Sequence, residues 1–353
     1  MGSLVFSENQ LVLVGDPDTP TIPIGQNADG EHDPTDTPNL RLAKLLNLAL
    51  SRRIGDHREL QRLVFDAQDG FPHLIMDRYA HILRIEIYHA AYRPWVNAIG
   101  EIIKKRIPAI EGWVEVYRPG KARKAILKSH QPNLPESHVV HEDGMRFLVK
   151  VKTADAVGTG LFLDQRIGRN WVKAQSRGRV IMNLFAHAGA FGVAAASGGA
   201  QRIDHVDQSR KCASWAACNL ALNGCDPRRH RFIVDDAFGF LRRQAKKAGS
   251  YGGIICDPPT TAFVKKGERF IARDHLSSLA ADCCRSLLPG GFLLLSCNHR
   301  QLRNDDLFRA ATEGAKAAGR TVLRHRQLTF GIDLPLGRKP ESHPTKGIWI
   351  ELN

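Results

Sequence analysis

From about residue 180 onward, short apolar segments alternate with helical ones, and this texture constrains the fold more than any other feature. Strands separated by helices need crossover connections, which lay parallel strands side by side and cover both faces of the sheet. The pattern predicts strands near residues 180–185, 202–206, 231–234, 253–256, 292–296, 323–329 and 347–351. Helices are expected to start near Phe191, Ser209, Ala237, Arg273 and Asp305. Ser209 is a good N-cap, and Asn223-Gly224 is a typical helix stop.

The upstream part reads differently. Residues 15–38 hold five Pro and five Asp without periodicity, as expected of a leader lying over the surface. A helix follows from Asn39, with Leu42, Leu45, Leu46 and Ala49 on one face, and Gly55 ends it. Residues 60–150 read as a small α+β unit. It has strands around the turn at 78–81, a helix opened by Pro94, a strand at Trp113 to Val116 and a strand pair over 141–152. The expected division is a leader at 1–55 that lacks strand patterning, an accessory RNA-binding unit at 56–152, and an α/β domain at 153–353.

With 353 residues, 43% of them hydrophobic and 24% charged, the chain can bury a core. No apolar run reaches the roughly 18 residues of a membrane helix, and no secretory signal or acylation pattern opens the chain. A cytoplasmic protein without a membrane partner is expected. The seven cysteines all fall between Cys212 and Cys297, without CxxC pairs or zinc spacing, so neither a disulfide framework nor a metal site is expected. The net charge of +14 suits a polyanionic partner, although solvated helix faces account for many such clusters.

In a doubly wound sheet, ligands bind beyond the carboxyl ends of the strands. Here the first strand runs into Asn183-Leu184-Phe185-Ala186-His187-Ala188-Gly189, the second ends at Asp207, the third at Asp235-Asp236 and the fourth at Asp257-Pro258-Pro259. Acidic and amide groups at successive strand ends suit ribose hydroxyls and an adenine amino group. Without GxGxxG there is no pyrophosphate cradle, which favours a nucleoside carrying methionine over a dinucleotide. The plainer reading of Asp207 and Asp236 is that of helix N-terminal carboxylates.

Thr159-Gly160-Leu161-Phe162-Leu163-Asp164-Gln165-Arg166, the Asn183 to Phe191 segment, Asp257-Pro258-Pro259 and Ser296-Cys297 together resemble the bacterial large-subunit ribosomal RNA methyltransferase I family, over roughly residues 60–353. The resemblance implies a Rossmann-like class I methyltransferase domain, with a seven-stranded doubly wound sheet, behind a small α+β domain. It implies S-adenosylmethionine as cofactor, S-adenosylhomocysteine as product, no metal, and methylation of cytosine C5 in 23S-type rRNA. Phe162, Gln165 and Arg166 would close over the cofactor, Arg166 as a fork for its carboxylate, and a buried Arg166–Asp164 ion pair is the plainer alternative. Asn183, Phe185, Gly189, Asp207, Asp236, Ala237 and Asp257 would line the site. Family members usually begin with a small RNA-binding PUA barrel, for which the stretch before residue 56 looks too short.

Cytosine C5 is a poor nucleophile, and the family adds a thiolate to C6 to activate it. Cys297, at a strand end before polar Asn298-His299-Arg300, is the expected nucleophile, and Asp257 is expected to orient the base or take the C5 proton. Arg118, Lys121, Arg123, Lys124, Lys265, Lys266, His299 and Arg300 are the candidate phosphate contacts. A competing resemblance links Asp257-Pro258-Pro259-Thr260, Arg273-Asp274-His275-Leu276 and Asn298 to the guanine-N7 half of a bifunctional rRNA enzyme, which needs no thiol. Guanine N7 or N2 methylation is therefore the alternative, and a non-catalytic basic RNA-binding protein the third. A homodimer is a candidate assembly.

Overall fold

The computed structural model describes residues 3–7, 10–14, 22–24, 37–53, 58–120, 124–154, 158–247, 249–263, 269–299, 301–330, 334 and 345–353. They fall into two compact units. One draws on Met1–Glu142, Val149–Thr159 and Phe330–Arg338, the other on Asp143–Leu148, Gly160–Thr329 and Lys339–Asn353.

The first unit opens with strands β1 (Ser3–Ser7), β2 (Gln10–Val14) and β3 (Ile22–Ile24), paired antiparallel in that order. This corrects the expectation that the stretch before residue 56 lacks strand patterning. Leu4-Val5-Phe6 and Leu11-Val12-Leu13-Val14 are continuous apolar runs, which carry no period-2 signal even when extended. Helix α1 (Pro38–Ser51) starts from the N-cap Thr37 and buries Leu42, Leu46 and Ala49. Strands β4 (Leu60–Phe65), β5 (Leu74–Tyr79), β6 (Ile82–Ile87), β7 (Gly112–Tyr117) and β8 (Ile126–Ser129) then form a five-stranded sheet in chain order. Only β6 and β7 are parallel, and the crossover between them contains α2 (Val96–Arg106). Here Gly100 lets Trp113 approach, because a Cβ would stand 2.2 Å from its ring. Strand β9 (His138–Glu142) follows, and β10 (Met145–Val149) belongs up to Leu148 to the second unit.

The second unit is built on a seven-stranded sheet. Its elements are α3 (Arg166–Gln175), β11 (Val180–Leu184), α4 (Ala190–Ser197), β12 (Arg202–Asp207), α5 (Arg210–Leu222), β13 (Arg231–Val234), α6 (Ala237–Gln244) and β14 (Tyr251–Cys256), then the hairpin β15 (Thr261–Phe263) and β16 (Arg269–Ile271), then α7 (Ala272–Ser286), β17 (Leu287–Cys297), α8 (Asn304–Ala317), β18 (Val322–Gln327) and β19 (Lys346–Leu352). The strand order is β13-β12-β11-β14-β17-β19-β18. Neighbours from β13 through β17 are parallel, whereas β19 runs antiparallel to both β17 and β18. The Rossmann-like α/β fold is thus present, with its last strand reversed. Chain direction switches outward from β11 to β12 on one side and to β14 on the other, so a crevice opens at the carboxyl ends of these strands.

Local chemistry explains the helix starts. Ser209 Oγ accepts from Cys212 N at 3.2 Å, and Asp236 caps α6 through Phe238 N and Gly239 N. Past α5, Gly224 takes φ +72°, the left-handed stop. One core of this unit packs Leu293, Leu295 and Cys297 of β17 with Leu276, Ala280 and Cys283 of α7 and Leu307 and Ala311 of α8.

Candidate active site

A pocket of about 380 Å³ lies at the carboxyl ends of the parallel strands, within the usual range of small-molecule sites. Phe162, Asp164, Gln165 and Arg169 line it from the segment entering α3, and Phe185, Ala186, His187, Ala190 and Phe191 from the turn after β11 and the start of α4. Asp207 ends β12 and Gln208 follows it, Ala237 and Phe238 open α6, Asp257-Pro258-Pro259 follow β14, Asn298 follows β17, and Thr345 precedes β19.

The turn after β11 is tightly wound. Phe185 and His187 adopt φ +54° and +49°, a region that side-chain-bearing residues seldom occupy. Such strain persists only where the surroundings hold it. Here Ala186 N donates to Val206 O at 3.0 Å and His187 N to Asp207 Oδ2 at 2.8 Å. Gly189, at φ +78°, could not carry a Cβ, which would meet Ala216 at 2.6 Å. The His187 ring lies 5.2 Å from Phe162 and 6.0 Å from Trp215, and Phe162 is 50% exposed at the rim.

Two carboxylates mark the two sides of the pocket. Asp207 accepts from His187 N and from Ser209 N at 2.9 Å and lines the cavity at the end of β12. Asp257 Oδ1 accepts from Ser296 Oγ at 2.7 Å and Oδ2 from Gln165 Nε2 at 3.3 Å. Burial pushes the Asp257 carboxyl up to about 6, against the lowering effect of the Ser296 bond, and nearby Asp164 pushes the same way. Asp164 in turn accepts from Thr345 Oγ1. Apolar Phe185, Ala237 and Phe238 with the acids Asp164, Asp207 and Asp257 suit a nucleoside that carries positive charge. No group of acidic, His or Cys side chains among the described residues is arranged to hold a metal ion.

Of the expected cofactor residues, Phe162, Gln165, Phe185, Asp207, Ala237 and Asp257 meet in this wall. Asn183 does not. It is buried within β11, its Nδ2 3.4 Å from His205 Nδ1. Gly189 shapes the turn without lining the cavity. Asp236 spends its carboxylate on the α6 N-terminus, as the plainer reading had it. Arg166 is buried away from the wall, and Arg169, nearly one helical turn on, takes the lining position while donating to Phe162 O at 2.8 Å.

Cys297 is the largest departure from expectation. It is 0% exposed and lies in the core with Leu293 and Leu295, outside the pocket wall. Strand pleating explains this: alternate residues face alternate sides, so Ser296 turns to Asp257 while Cys297 turns into the helix-packed core. Burial pushes its thiol up to about 12, and Asp257 pushes the same way. The pocket position at this strand end belongs to Asn298 instead.

Of the proposed phosphate contacts, Lys124 is exposed, while Arg118 donates to Glu86 at 3.1 Å. His299 lies beside the wall without joining it, and its carbonyl accepts from Lys346 Nζ at 2.9 Å. Lys121, Arg123, Lys265, Lys266 and Arg300 lie outside the described residues. Asp164, His187, Phe191 and Asn298 stand in the motifs quoted from the sequence without a site role of their own, and Arg169, Gln208, Phe238 and Thr345 lie outside those motifs. Helical spacing from Arg166 could have indicated Arg169, but nothing local marks Thr345.

Comparison with known proteins agrees with the fold. The chain matches 30% of residues over 302 with a ribosomal RNA large subunit methyltransferase of Deinococcus radiodurans, covering 81% of this chain and 73% of that protein. It is 29% identical over 298 residues to large subunit methyltransferase I of Aeromonas salmonicida, covering 82% and 74%. It is 37% identical over 199 residues to methyltransferase K/L of Hahella chejuensis, of which it spans only 27%, using 56% of its own length. Among solved structures, a protein assigned as a methyltransferase, SMU.776, in complex with SAH superposes with TM-score 0.78 at 22% identity, over 90% of this chain and 83% of that one. A S-adenosylmethionine-dependent methyltransferase of Agrobacterium tumefaciens gives 0.61 at 23% identity, over 79% and 87%. The family profile of S-adenosylmethionine-dependent methyltransferases matches residues 114–326, and the chain belongs to that family, with S-adenosylmethionine as its cofactor.

Proposed function

We propose that this enzyme methylates a base of large-subunit ribosomal RNA, and that the acceptor is a guanine nitrogen. The names of the related proteins support the rRNA substrate. The observation that favours guanine is the composition of the acceptor side: Asp257-Pro258-Pro259 and Asn298 face the cavity, and the Cys297 sulfur does not. The cofactor supplies an electrophilic methyl on a sulfonium. Guanine N7, with its in-plane lone pair, would take the methyl as the carbon–sulfonium bond breaks and S-adenosylhomocysteine leaves, with no proton to remove, so the protein needs only to position the base and exclude water. Above its pKa of about 6, Asp257 offers the base a hydrogen-bond acceptor, and Asn298 offers an amide. The target base must leave its stack to enter, and Phe162 at the rim offers an aromatic face.

Cytosine C5 is the second reading, favoured by the position of Cys297 directly before Asn298 and within the field of Asp257. A thiol held near 12 by burial is scarcely ionised at neutral pH, so this chemistry would require the strand end to rearrange when RNA binds. Incubation with unmodified rRNA and labelled cofactor, followed by nucleoside mass analysis, identifies the base. Cys297→Ala should retain turnover within about threefold. Loss of turnover with intact S-adenosylhomocysteine binding, or trapping on 5-fluorocytidine RNA, would instead establish the covalent route.

A further inference from the structure

The outer edge of the second unit's sheet carries a cationic strip with no counterpart in the pocket. We propose that β18 is a docking strip for the phosphate backbone of the RNA whose base enters the pocket, an inference that rests on the rRNA reading above. The sheet order gives the direction. The carboxylate of the cofactor half, Asp207, ends β12, and the acceptor groups Asp257 and Asn298 follow β14 and β17. Beyond β17 come only β19 and β18. Because β17 and β18 both pair antiparallel with β19, they run the same way, and the carboxyl end of β18 points toward the pocket side of the sheet. Nucleic acid that leaves the acceptor end in this direction passes over β18.

The strand itself is unlike the other members of the sheet. Residues Leu323 to Gln327 are all exposed, Leu323 at 57%. Register pairs Arg324 with Glu351, His325 with Ile350 and Arg326 with Trp349. Ile350 belongs to the core on the helix-packed face, and the His325 ring lies 4.5 Å from Phe308 of α8. Alternation therefore puts Arg324 and Arg326 together on the opposite face. Among the described residues neither makes an ion pair, whereas the exposed Arg303 and Arg309 nearby share Asp306. Two guanidinium groups, about 6.6 Å apart along an extended strand and neither in an ion pair, although Glu351 stands across from Arg324, suit successive anionic groups of one polymer. Charged residues on an edge strand also discourage sheet-to-sheet aggregation, and the experiment separates that role.

The test compares Arg324→Ala/Arg326→Ala with Arg228→Ala/Arg229→Ala, which removes the same charge from an exposed turn before the opposite edge strand β13. Binding of unmodified large-subunit rRNA is measured against salt concentration. The β18 pair should lower the slope of log affinity against log salt by about 1.4, taking roughly 0.7 for each phosphate contact to a single strand. It should raise the RNA KM about tenfold, with kcat within twofold and S-adenosylhomocysteine affinity unchanged. The β13-side pair should leave the slope as it is. Equal losses in both variants would mean bulk charge alone and would overturn the proposal. So would unchanged RNA binding, or a change in molar mass by light scattering without a change in RNA affinity, which would assign β18 to a protein contact. If the unaltered protein neither binds nor methylates rRNA, the rRNA reading fails and takes this inference with it.

Discussion

Ser296 Oγ donates a 2.7 Å hydrogen bond to Asp257 Oδ1, joining the carboxyl ends of β17 and β14 at the pocket wall. The bond stabilises the carboxylate, yet burial outweighs it and the Asp257 carboxyl stays near 6. The same alternation that aims Ser296 at Asp257 turns Cys297 away. One strand end thus serves both the pocket and the core.

Asp257 should set the acid limb of the pH profile. With its pKa near 6, kcat/KM falls as pH drops through that value, and Ser296→Ala should move the limb upward by removing a bond that lowers it. The stability sign runs opposite to activity. A carboxyl whose folded pKa lies above its unfolded value favours the fold most below pH 4, and the benefit is lost as pH rises through 6. At pH 8 the buried charge costs on the order of 2 kcal/mol, after allowance for partial solvent screening. Asp257→Asn should therefore abolish turnover while raising Tm at pH 8 and leaving it unchanged at pH 4. An unaltered Tm at both pH values would contradict the assignment.

Asp207 should matter through what it holds as well as what it faces. Its two oxygens accept from His187 N and Ser209 N, and removal of the carboxylate takes away one of the two bonds that tie the strained turn after β11 to β12. Asp207→Ala should weaken S-adenosylhomocysteine binding by about 10- to 100-fold, equivalent to the loss of one or two hydrogen bonds to a charged group. Calorimetric titration reads this directly. Affinity within twofold of the unaltered protein would remove Asp207 from the cofactor site.

His205 should make the fold acid-sensitive. It is buried in β12 against Phe232, and burial pushes its pKa down to about 3, with His230 adding to the effect. The neutral ring is thus favoured in the fold. The stability tied to it is complete above pH 6.5 and is lost progressively as pH falls toward 3. At pH 5 the loss is about 2 kcal/mol. Urea denaturation at pH 7.5 and pH 5 should show it, and His205→Phe should flatten the difference. A pH difference that survives this substitution would place the acid sensitivity elsewhere.

Much of the fold is legible in the sequence. The alternation of apolar strands and helices foretold the seven-stranded α/β sheet, and Ser209 and Gly224 bound α5 as their chemistry required. Strand ends indicate Asp207, the last residue of β12, and Asp257, the first after β14, as pocket groups, because ligands bind beyond the carboxyl ends of parallel strands. The first two strands went unseen, since an unbroken apolar run has no period to detect, and the third, Ile22-Pro23-Ile24, since it is three residues centred on a Pro.

The linear order of residues determined which elements form and which acids stand at their ends, for these follow from contacts within a few positions. Only the tertiary structure decided which way side chains at those ends turn. Whether Arg166 or Arg169 meets the cavity depends on how α3 is rotated against the sheet, and whether Ser296 or Cys297 turns to Asp257 depends on the phase of the β17 pleat. Thr345 reaches the pocket because β19 is inserted in reverse between β17 and β18, and that pairing joins residues too far apart in the chain for any local pattern to register.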